Sequence, residues 1–448
     1  MGRFEEYFAA LQGKNIAVLG LGVSNRPLVR LLLEFGCTVT GCDRTPREKL
    51  DAEVLALEQM GCRLSLGEGY LDGLQADVVF RTPGMHPGNP AIVALKEKGA
   101  EITSEMDVFL KLCPCKIIAV TGSDGKTTTT SLVAAMLKEQ GRTVWLGGNI
   151  GTPLLPLCRQ MQEDHVAVVE LSSFQLMGME CDPDVAVVTN LSPNHLDVHK
   201  DMEEYVAAKT NIFRFQTHGR LVVNGDNAIT RDFVGSCETV RFSRQRAADC
   251  YLDGDTVRLG DKPVLSTADI LLPGMHNVEN YMAAILAVEG LVDTETICRV
   301  ARSFGGVEHR IQLVRTVNGV RYYNDSIASS PARTIAGLNS FQEKVILIAG
   351  GYDKNIPFDD LAPHICRQVK LLVLGGATGP AIGAAVARCE GEKPEVVHCD
   401  NLEKAIAVAV QRAQDGDVVL LSPASAAFDQ FKNFAERGNY FKQKIMEL

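Results

Sequence analysis

No window of the chain approaches the roughly 18 consecutive apolar residues that a membrane-spanning helix needs. Basic residues are not in excess: 45 Lys and Arg stand against 55 Asp and Glu, for a net charge of -10. Also missing are a CxxC pair among thirteen cysteines, a short-period repeat and a low-complexity tract. Each absence removes a class of protein. The first argues against membrane insertion. The second argues against a general nucleic-acid binder, which needs a basic surface to neutralise phosphates, so small molecules are the expected partners. Without paired cysteine spacing a disulfide framework or zinc site has no anchor, and Cys113-Pro-Cys115 reads equally well as two buried thiols. No coiled-coil pattern calls for an oligomer, so a monomer is expected. The amino end, MGRFEEYFAALQGKN, has two acidic residues and no long apolar core, unlike a secretory signal, and Glu6 breaks the myristoylation pattern after Gly2. A cytoplasmic location is the expectation.

What is present suits packed cores. With 46% hydrophobic and 22% charged residues, the 448-residue chain is globular in composition and exceeds the roughly 250 to 300 residues at which single cores stop growing. Residues 14 to 112 alternate strand-like runs (NIAVLGLG, TVTGCD, ADVVFRTPG) with helix-like ones, the pattern of a parallel sheet with crossover helices. A second cycle starts at Lys116 with IIAVTG, HVAVVEL and DVAVVTNLS, each followed by polar residues at the strand end where open α/β sheets collect ligands. Short polar strands are expected over about 235–273, then a helix over NVENYMAAILAVEGL. A third cycle begins near Val307, where Asn318-Gly319 between two apolar runs signals a type I′ hairpin, followed by KVILIAGG, VKLLVLGG and DVVLLSPAS. The expected architecture is three linked α/β domains, over 1–112, 113–306 and 307–448.

The run IIAVTGSDGKTTTTSLVAAML, residues 117–137, joins a β-branched strand to a helix through a glycine turn. Such a turn aims free backbone N–H groups and the positive end of a helix at one point, which suits a phosphate. Lys126 adds a mobile positive charge, and the Thr127 hydroxyl after it can ligate the magnesium of a nucleoside triphosphate. The full P-loop pattern wants glycine where Val120 stands; Gly122, Ser123, Asp124 and Gly125 frame a shorter loop. Thr128 to Thr130 read mainly as hydrogen-bonding residues at the start of the helix. At the amino end, VLGLGVSNRP keeps the first two glycines of GxGxxG, Gly20 and Gly22, with Asn25 at the third. Alone, this suggests a diphosphate ligand, with Asp43 at the end of the next strand placed for a ribose or base.

VTGSDGKTTTT resembles the shortened ATP loop of the Mur ligase family, cytoplasmic enzymes that add amino acids to the peptidoglycan precursor. GGNIG at 147–151, ELSSFQL at 170–176, HLD at 195–197, AAK at 207–209, HNVEN at 276–280 and EHR at 308–310 agree in order. LLSPASAAFDQFKNFAERG near the end is similar to the branch that adds D-glutamate to UDP-N-acetylmuramoyl-L-alanine. The resemblance implies a Rossmann-like UDP-binding domain, a central P-loop ATPase-like parallel sheet and a Rossmann-like carboxy-terminal domain. It implies ATP and two magnesium ions as cofactors, and an acyl-phosphate intermediate attacked by the amino acid. Charge handling is then the physical problem, because an anionic carboxylate must meet an anionic triphosphate.

The resemblance also assigns residues. Lys126, Glu170, His195 and Lys209 become catalytic, with Thr127, Glu170, His195 and a carbamylated Lys209 toward metal. Read without it, Glu170 is a strand-end carboxylate, His195-Leu-Asp197-Val-His199 invites zinc, and Lys209 is a surface lysine; Asp197 and His199 read as polar loop residues. ATP contacts are implied for Gly122 to Thr128, for Asn277 and Asn280, for Arg310 and for Asp325 near the ribose; Asn277 reads equally as a helix cap. The placement of Arg310 in another domain implies closure before chemistry. The UDP substrate is assigned to Gly22, Val23, Ser24, Asp43, Arg44, Thr45, Gly84, Asn149, Ser172 and Gln175. Amino-acid binding falls to Ser329, Lys354, Ala427, Phe428 and Phe434. Ala427 stands where some relatives have serine, and Ile327 where some have lysine. The alternatives are a sibling ligase, including one extending folate with glutamate, a nicotinamide-dependent dehydrogenase, and a non-catalytic nucleotide-binding module. The dehydrogenase would leave the phosphate loop and Arg310 unexplained, and the non-catalytic module would bind ATP without coupling its hydrolysis to amide formation.

Overall fold

The computed structural model describes residues 2–195, 198–354 and 356–448. The described residues form three sheets, and the chain gathers into two compact units, one of Met1–Asp269 with Val278–Val300 and one of Ile270–Asn277 with Ala301–Leu448. Among the described residues no helix is long and apolar enough to cross a membrane.

In the first unit, β1 (Asn15–Leu19), β2 (Thr38–Asp43), β3 (Arg63–Leu66), β4 (Val78–Arg81) and β5 (Glu101–Thr103) make a parallel sheet in the order 3-2-1-4-5. The order reverses at β1, so the carboxyl ends of β1 and β4 flank a crevice of the kind ligands occupy. Thr82 N donates to Leu19 O at 3.1 Å there. Asn25 explains its own presence at the third glycine position: its buried amide donates to the carbonyls of Leu19 and Gly20, at 3.2 and 2.8 Å, and fixes the turn from strand to helix.

The second sheet of this unit holds β6 (Lys116–Thr121), β7 (Val144–Gly148), β8 (Val166–Glu170), β9 (Val185–Val188), β10 (Arg220–Asn224), β11 (Glu238–Ser243), β12 (Cys250–Asp253), β13 (Thr256–Leu259) and β14 (Lys262–Ser266). Their order is 14-13-12-11-10-9-6-8-7; β7 to β12 run parallel and the last two strands are antiparallel. The central strands β6, β8 and β9 are almost wholly buried, as β-branched runs covered on both faces should be. One apolar cluster runs from Phe8 and Val18 through Phe109 and Ala119 to Val223, so both sheets of this unit share a core. Cys113 and Cys115 are thiols with sulfurs 3.3 Å apart.

The second unit carries β15 (Gln312–Val317), β16 (Val320–Asn324), β17 (Val345–Ala349), β18 (Val369–Leu374), β19 (Glu395–His398) and β20 (Val418–Leu421), in the order 15-16-20-17-18-19. Only the β15–β16 pair is antiparallel. Its turn is Asn318-Gly319 with φ of 49° and 76°, both positive as a type I′ turn requires. Separate apolar clusters cover the two faces of this sheet. Insertion of β20 between β16 and β17 brings the segments after all three strands to one edge.

Candidate active site

Strand β6 ends at Thr121, and the helix Lys126–Glu139 begins after four intervening residues. Between them the chain turns through Gly122 (φ 151°) and Gly125 (φ 75°). A Cβ on Gly122 would collide with Thr189 Oγ1, and one on Gly125 with Asn280 Oδ1. The loop is latched to the end of β9: Ser123 N donates to Asn190 O at 2.8 Å, Asp124 N to Asn190 Oδ1 at 2.9 Å, and Thr189 Oγ1 to Asp124 O at 2.6 Å. Ser123 Oγ bonds Tyr205 Oη at 2.9 Å. Sequence reasoning did not single out Thr189, Asn190 or Tyr205; the polar residues after the apolar run DVAVV were the available signal. Lys126 Nζ donates to Ser123 O at 2.8 Å, and Thr127 is buried at the helix start. The threonines bond differently from a simple amino-terminal cap: Thr130 Oγ1 donates back to Lys126 O at 2.8 Å, and Thr129 Oγ1 to Asn280 Oδ1 at 3.3 Å. Thr128, between buried Thr127 and Thr129, is half-buried. Gly125→Ala is expected to destabilise the protein by about 1–3 kcal/mol, through left-handed backbone strain and the Asn280 clash, and to weaken nucleotide binding. Thermal unfolding and nucleotide titration check both.

Glu170, at the end of β8, is 1% exposed rather than a solvated strand end. Its Oε1 accepts from Asn149 Nδ2 at 2.8 Å, whereas no described group donates to the buried Oε2. Lys209, which reads as a surface lysine, is 2% exposed on the helix Met202–Arg214, donates to Thr121 Oγ1 at 3.2 Å, and sits 5.1 Å from the Tyr205 ring. Burial, and then the charge of Lys126, hold its pKa well below the usual lysine range against the opposing pull of Glu170 and Asp124. Burial therefore favours the neutral form of this amine over the charged one. An orphaned buried carboxylate oxygen beside a hydroxyl-bearing phosphate loop fits a divalent cation completed by nucleotide oxygens. Among the described residues no three His, Cys, Asp or Glu side chains form a ready-made metal cage.

His195 is exposed at φ 55°, edge-on to Phe174 with ring centroids 5.1 Å apart. Asp197 lies outside the described residues. His199 is not a free loop residue: 2% exposed, it stacks on Phe174 at 5.4 Å and 9°, and its Nε2 bonds Ser173 Oγ at 2.9 Å. Phe174 belongs to the short helix Ser173–Leu176, which Ser172 and Gln175 close with a reciprocal capping box. That box engages the Gln175 side-chain oxygen at 2.9 Å from Ser172 N.

On the first sheet, Gly22, Val23 and Ser24 are exposed beyond β1, with Val23 at 73%, and Gly84 is exposed beyond β4. Asp43 faces the same edge, but its carboxylate is occupied by backbone: Leu21 N donates to Oδ2 at 2.7 Å and Thr45 N to Oδ1 at 2.8 Å. These bonds hold its pKa below the ordinary range despite desolvation. Asp43 thus ties together the two loops that present Gly22 to Ser24, and Arg44 with Thr45.

In the second unit Asn277 Nδ2 donates to Pro273 O at 2.7 Å, as a helix-entry residue would. Arg310 lies between His309 and Ile311, both at positive φ. Asp325 is buried, accepting from Ser422 Oγ at 2.7 Å and Ile311 N at 3.3 Å, and burial raises its pKa to about 7. Its bond from Ile311 N supports the turn that carries Arg310. A raised carboxyl pKa means the folded state keeps a proton that the unfolded chain loses above about pH 4, so stability falls as pH rises from there toward 7. Asp325→Asn is expected to flatten that decline, which denaturant unfolding across the window measures.

Lys354 is exposed, its Nζ 5.8 Å from the ring of Phe428, itself 59% exposed and packed against Tyr352. Ala427 is buried, and Phe434 opens the helix Phe434–Met446, accepting from Ser326 Oγ at its carbonyl. Ser329 Oγ donates to Ile327 O at 3.3 Å. Sequence reasoning missed Arg437, a buried guanidinium bonded to the carbonyls of Ser326, Ser425 and Ala426 that draws these loops together.

A short phosphate loop on a parallel sheet, over a buried lysine and carboxylate, defines a nucleotide-binding α/β protein. Residues 120–288 match the model of the Mur ligase middle domain, and 309–425 that of the Mur ligase glutamate ligase domain. The chain is 52% identical to the UDP-N-acetylmuramoylalanine--D-glutamate ligase of Acetivibrio thermocellus, covering 100% of this chain and 99% of that protein. It is 48% identical to the enzyme of that name from Clostridium botulinum, over 99% of each. Its fold is similar to the crystal structure of UDP-N-acetylmuramate-alanine ligase from Thermotoga maritima, with a TM-score of 0.60 at 19% identity over 97% and 99% of the two chains. The chain belongs to the Mur ligase family.

Proposed function

We propose that this protein is the ATP-dependent ligase that joins the amino group of D-glutamate to the alanyl carboxylate of UDP-N-acetylmuramoyl-L-alanine, in the cytoplasm and as a monomer. The observation that carries the ligase chemistry is the buried pair of Glu170 and Lys209 against the phosphate loop. The choice of substrates is supported by the names of relatives that match the chain from end to end. The boundaries 1–112, 113–306 and 307–448 give UDP-binding, ATP-binding and amino-acid-binding domains, each containing one of the three sheets.

The alanyl carboxylate attacks the γ-phosphorus and the bond to the ADP oxygen breaks. The amine of D-glutamate then attacks the acyl-phosphate carbonyl, and phosphate leaves as the carbon–oxygen bond breaks and the amine releases a proton. Magnesium, when bound, offsets charge on the phosphates; Thr127, Glu170, His195 and the carbamate of Lys209 would hold it, two ions in all. Lys126, the loop amides Gly122 to Thr128 and Arg310 meet the phosphates, Asn277 and Asn280 pair with the adenine edge, and Asp325 stands near the ribose. Gly22 to Ser24, Asp43 to Thr45, Gly84, Asn149, Ser172 and Gln175 bind the UDP-linked substrate. Lys354 meets a carboxylate of D-glutamate, with Ser329, Ala427, Phe428 and Phe434 shaping the pocket.

The test is ADP release with paired UDP-linked precursors and amino acids. Stoichiometric ADP and a new amide only with UDP-N-acetylmuramoyl-L-alanine and D-glutamate is the expected result. Turnover with L-glutamate, another precursor or a folate instead would assign a sibling activity and overturn the proposal.

A further inference from the structure

Arg81 ends β4, after the apolar run Val78-Val79-Phe80, and is only 5% exposed. A buried guanidinium requires partners, and among the described residues no carboxylate bonds to it. All its hydrogen bonds run to backbone carbonyls: Nη1 to Thr82 O at 3.4 Å, Pro83 O at 3.5 Å and Met85 O at 2.7 Å, and Nη2 to Phe174 O at 3.3 Å and Met177 O at 2.8 Å. The first three carbonyls belong to the loop that carries Gly84 after β4. The last two belong to the carboxyl end of the helix Ser173–Leu176 on the second sheet, where unpaired carbonyls and the negative end of a helix favour a cation. One fork of donors therefore joins loops from both sheets of this unit.

The same segment touches the second sheet's elements at two more points. His86 Nε2 lies 3.5 Å from Glu204 Oε1, and a Cβ on Gly178 would stand 3.8 Å from Pro87 Cγ. We propose that Arg81 is a positioning residue for the UDP-linked substrate: it locks the 82–85 loop and the Ser172–Gln175 turn into one preformed wall, while touching no ligand itself. The substrate in this statement rests on the function proposed above. None of the partners of Arg81 belongs to the phosphate loop, so its effect separates by ligand. Without the clamp, the two loops must be ordered against each other when the precursor binds, and that cost falls on the precursor alone.

The experiment is calorimetric titration of UDP-N-acetylmuramoyl-L-alanine and, separately, of a non-hydrolysable ATP analogue into wild type, Arg81→Gln and Arg81→Lys, with KM and kcat measured alongside. Arg81→Gln should weaken precursor binding and raise its KM by about tenfold or more, with the ATP analogue within about twofold of wild type. Arg81→Lys should recover part of the loss, because an ammonium keeps the charge but reaches fewer of the carbonyls. Equal losses for both ligands, or unchanged precursor affinity, would overturn the positioning role. If Arg81→Gln does not fold, Arg81→Lys decides by the same separation. A wild-type protein that ignores the precursor sinks the substrate assignment and the clamp together; a binding wild type with indifferent variants sinks the clamp alone.

Discussion

Lys126→Ala is expected to lower amide-coupled ADP formation by about a thousandfold or more, because phosphoryl transfer depends chiefly on cations aimed at the transferring group. The loop itself should survive. Its shape is held by Asn190, Thr189 and the positive-φ glycines, and the bond from Nζ to Ser123 O lies within the same turn. The melting temperature should accordingly change little while turnover collapses. A second consequence separates charge from shape: the Lys126 charge is one of the influences that depress the Lys209 pKa, so its removal should raise that pKa and shrink the neutral fraction of Lys209. Normal activity in Lys126→Ala would refute the phosphate-loop assignment outright.

Much of this arrangement is legible in the residues. Long β-branched runs such as Ile117–Val120 and Val345–Ala349 announce buried parallel strands, and Asn318-Gly319 fixes a hairpin because few other pairs accept two positive φ angles. Strands β3 and β19 escaped notice for the converse reason. Arg63–Leu66 and Glu395–His398 lie toward the edges of their sheets, half-buried or exposed, so their apolar content is too small to stand out. The phosphate loop could be read locally because its chemistry is contiguous in the chain. Glu170, Lys209 and Thr121 could not, since they meet only when β8, β6 and the helix Met202–Arg214 pack, and a lysine within EEYVAAKTNIF has the spacing of any solvated helix face. Arg81 and Asn25 share a different lesson. Each is a polar residue in an apolar position, saturated by backbone carbonyls, and the sequence carries no sign of which carbonyls those are.

Lys209→Met is expected to raise stability and to reduce turnover by about a hundredfold or more, which opposes the usual coupling between a core substitution and loss of fold. The stability half follows from proton linkage. Lys209 in the folded protein releases its proton well below the ordinary lysine range, whereas the unfolded chain holds it to about pH 10.4. Across the interval between those values the unfolded state binds the extra proton, so stability falls as pH is lowered through it, and the full cost is present below the folded-state pKa. Methionine has similar length and no proton to lose, so in magnesium-free, bicarbonate-depleted buffer its advantage should be absent above about pH 10.4, grow as pH is lowered, and level off below the folded-state pKa of Lys209. The activity half follows from chemistry. If the neutral amine of Lys209 takes up carbon dioxide to become an anionic ligand, wild-type turnover should drop on bicarbonate depletion and return on its addition, while Lys209→Met stays low throughout. Undiminished turnover in Lys209→Met would remove the lysine from the mechanism. A stability gain independent of pH would mean that the buried residue was never strained by its charge, and the neutral amine on which carbamylation depends would lose its physical cause.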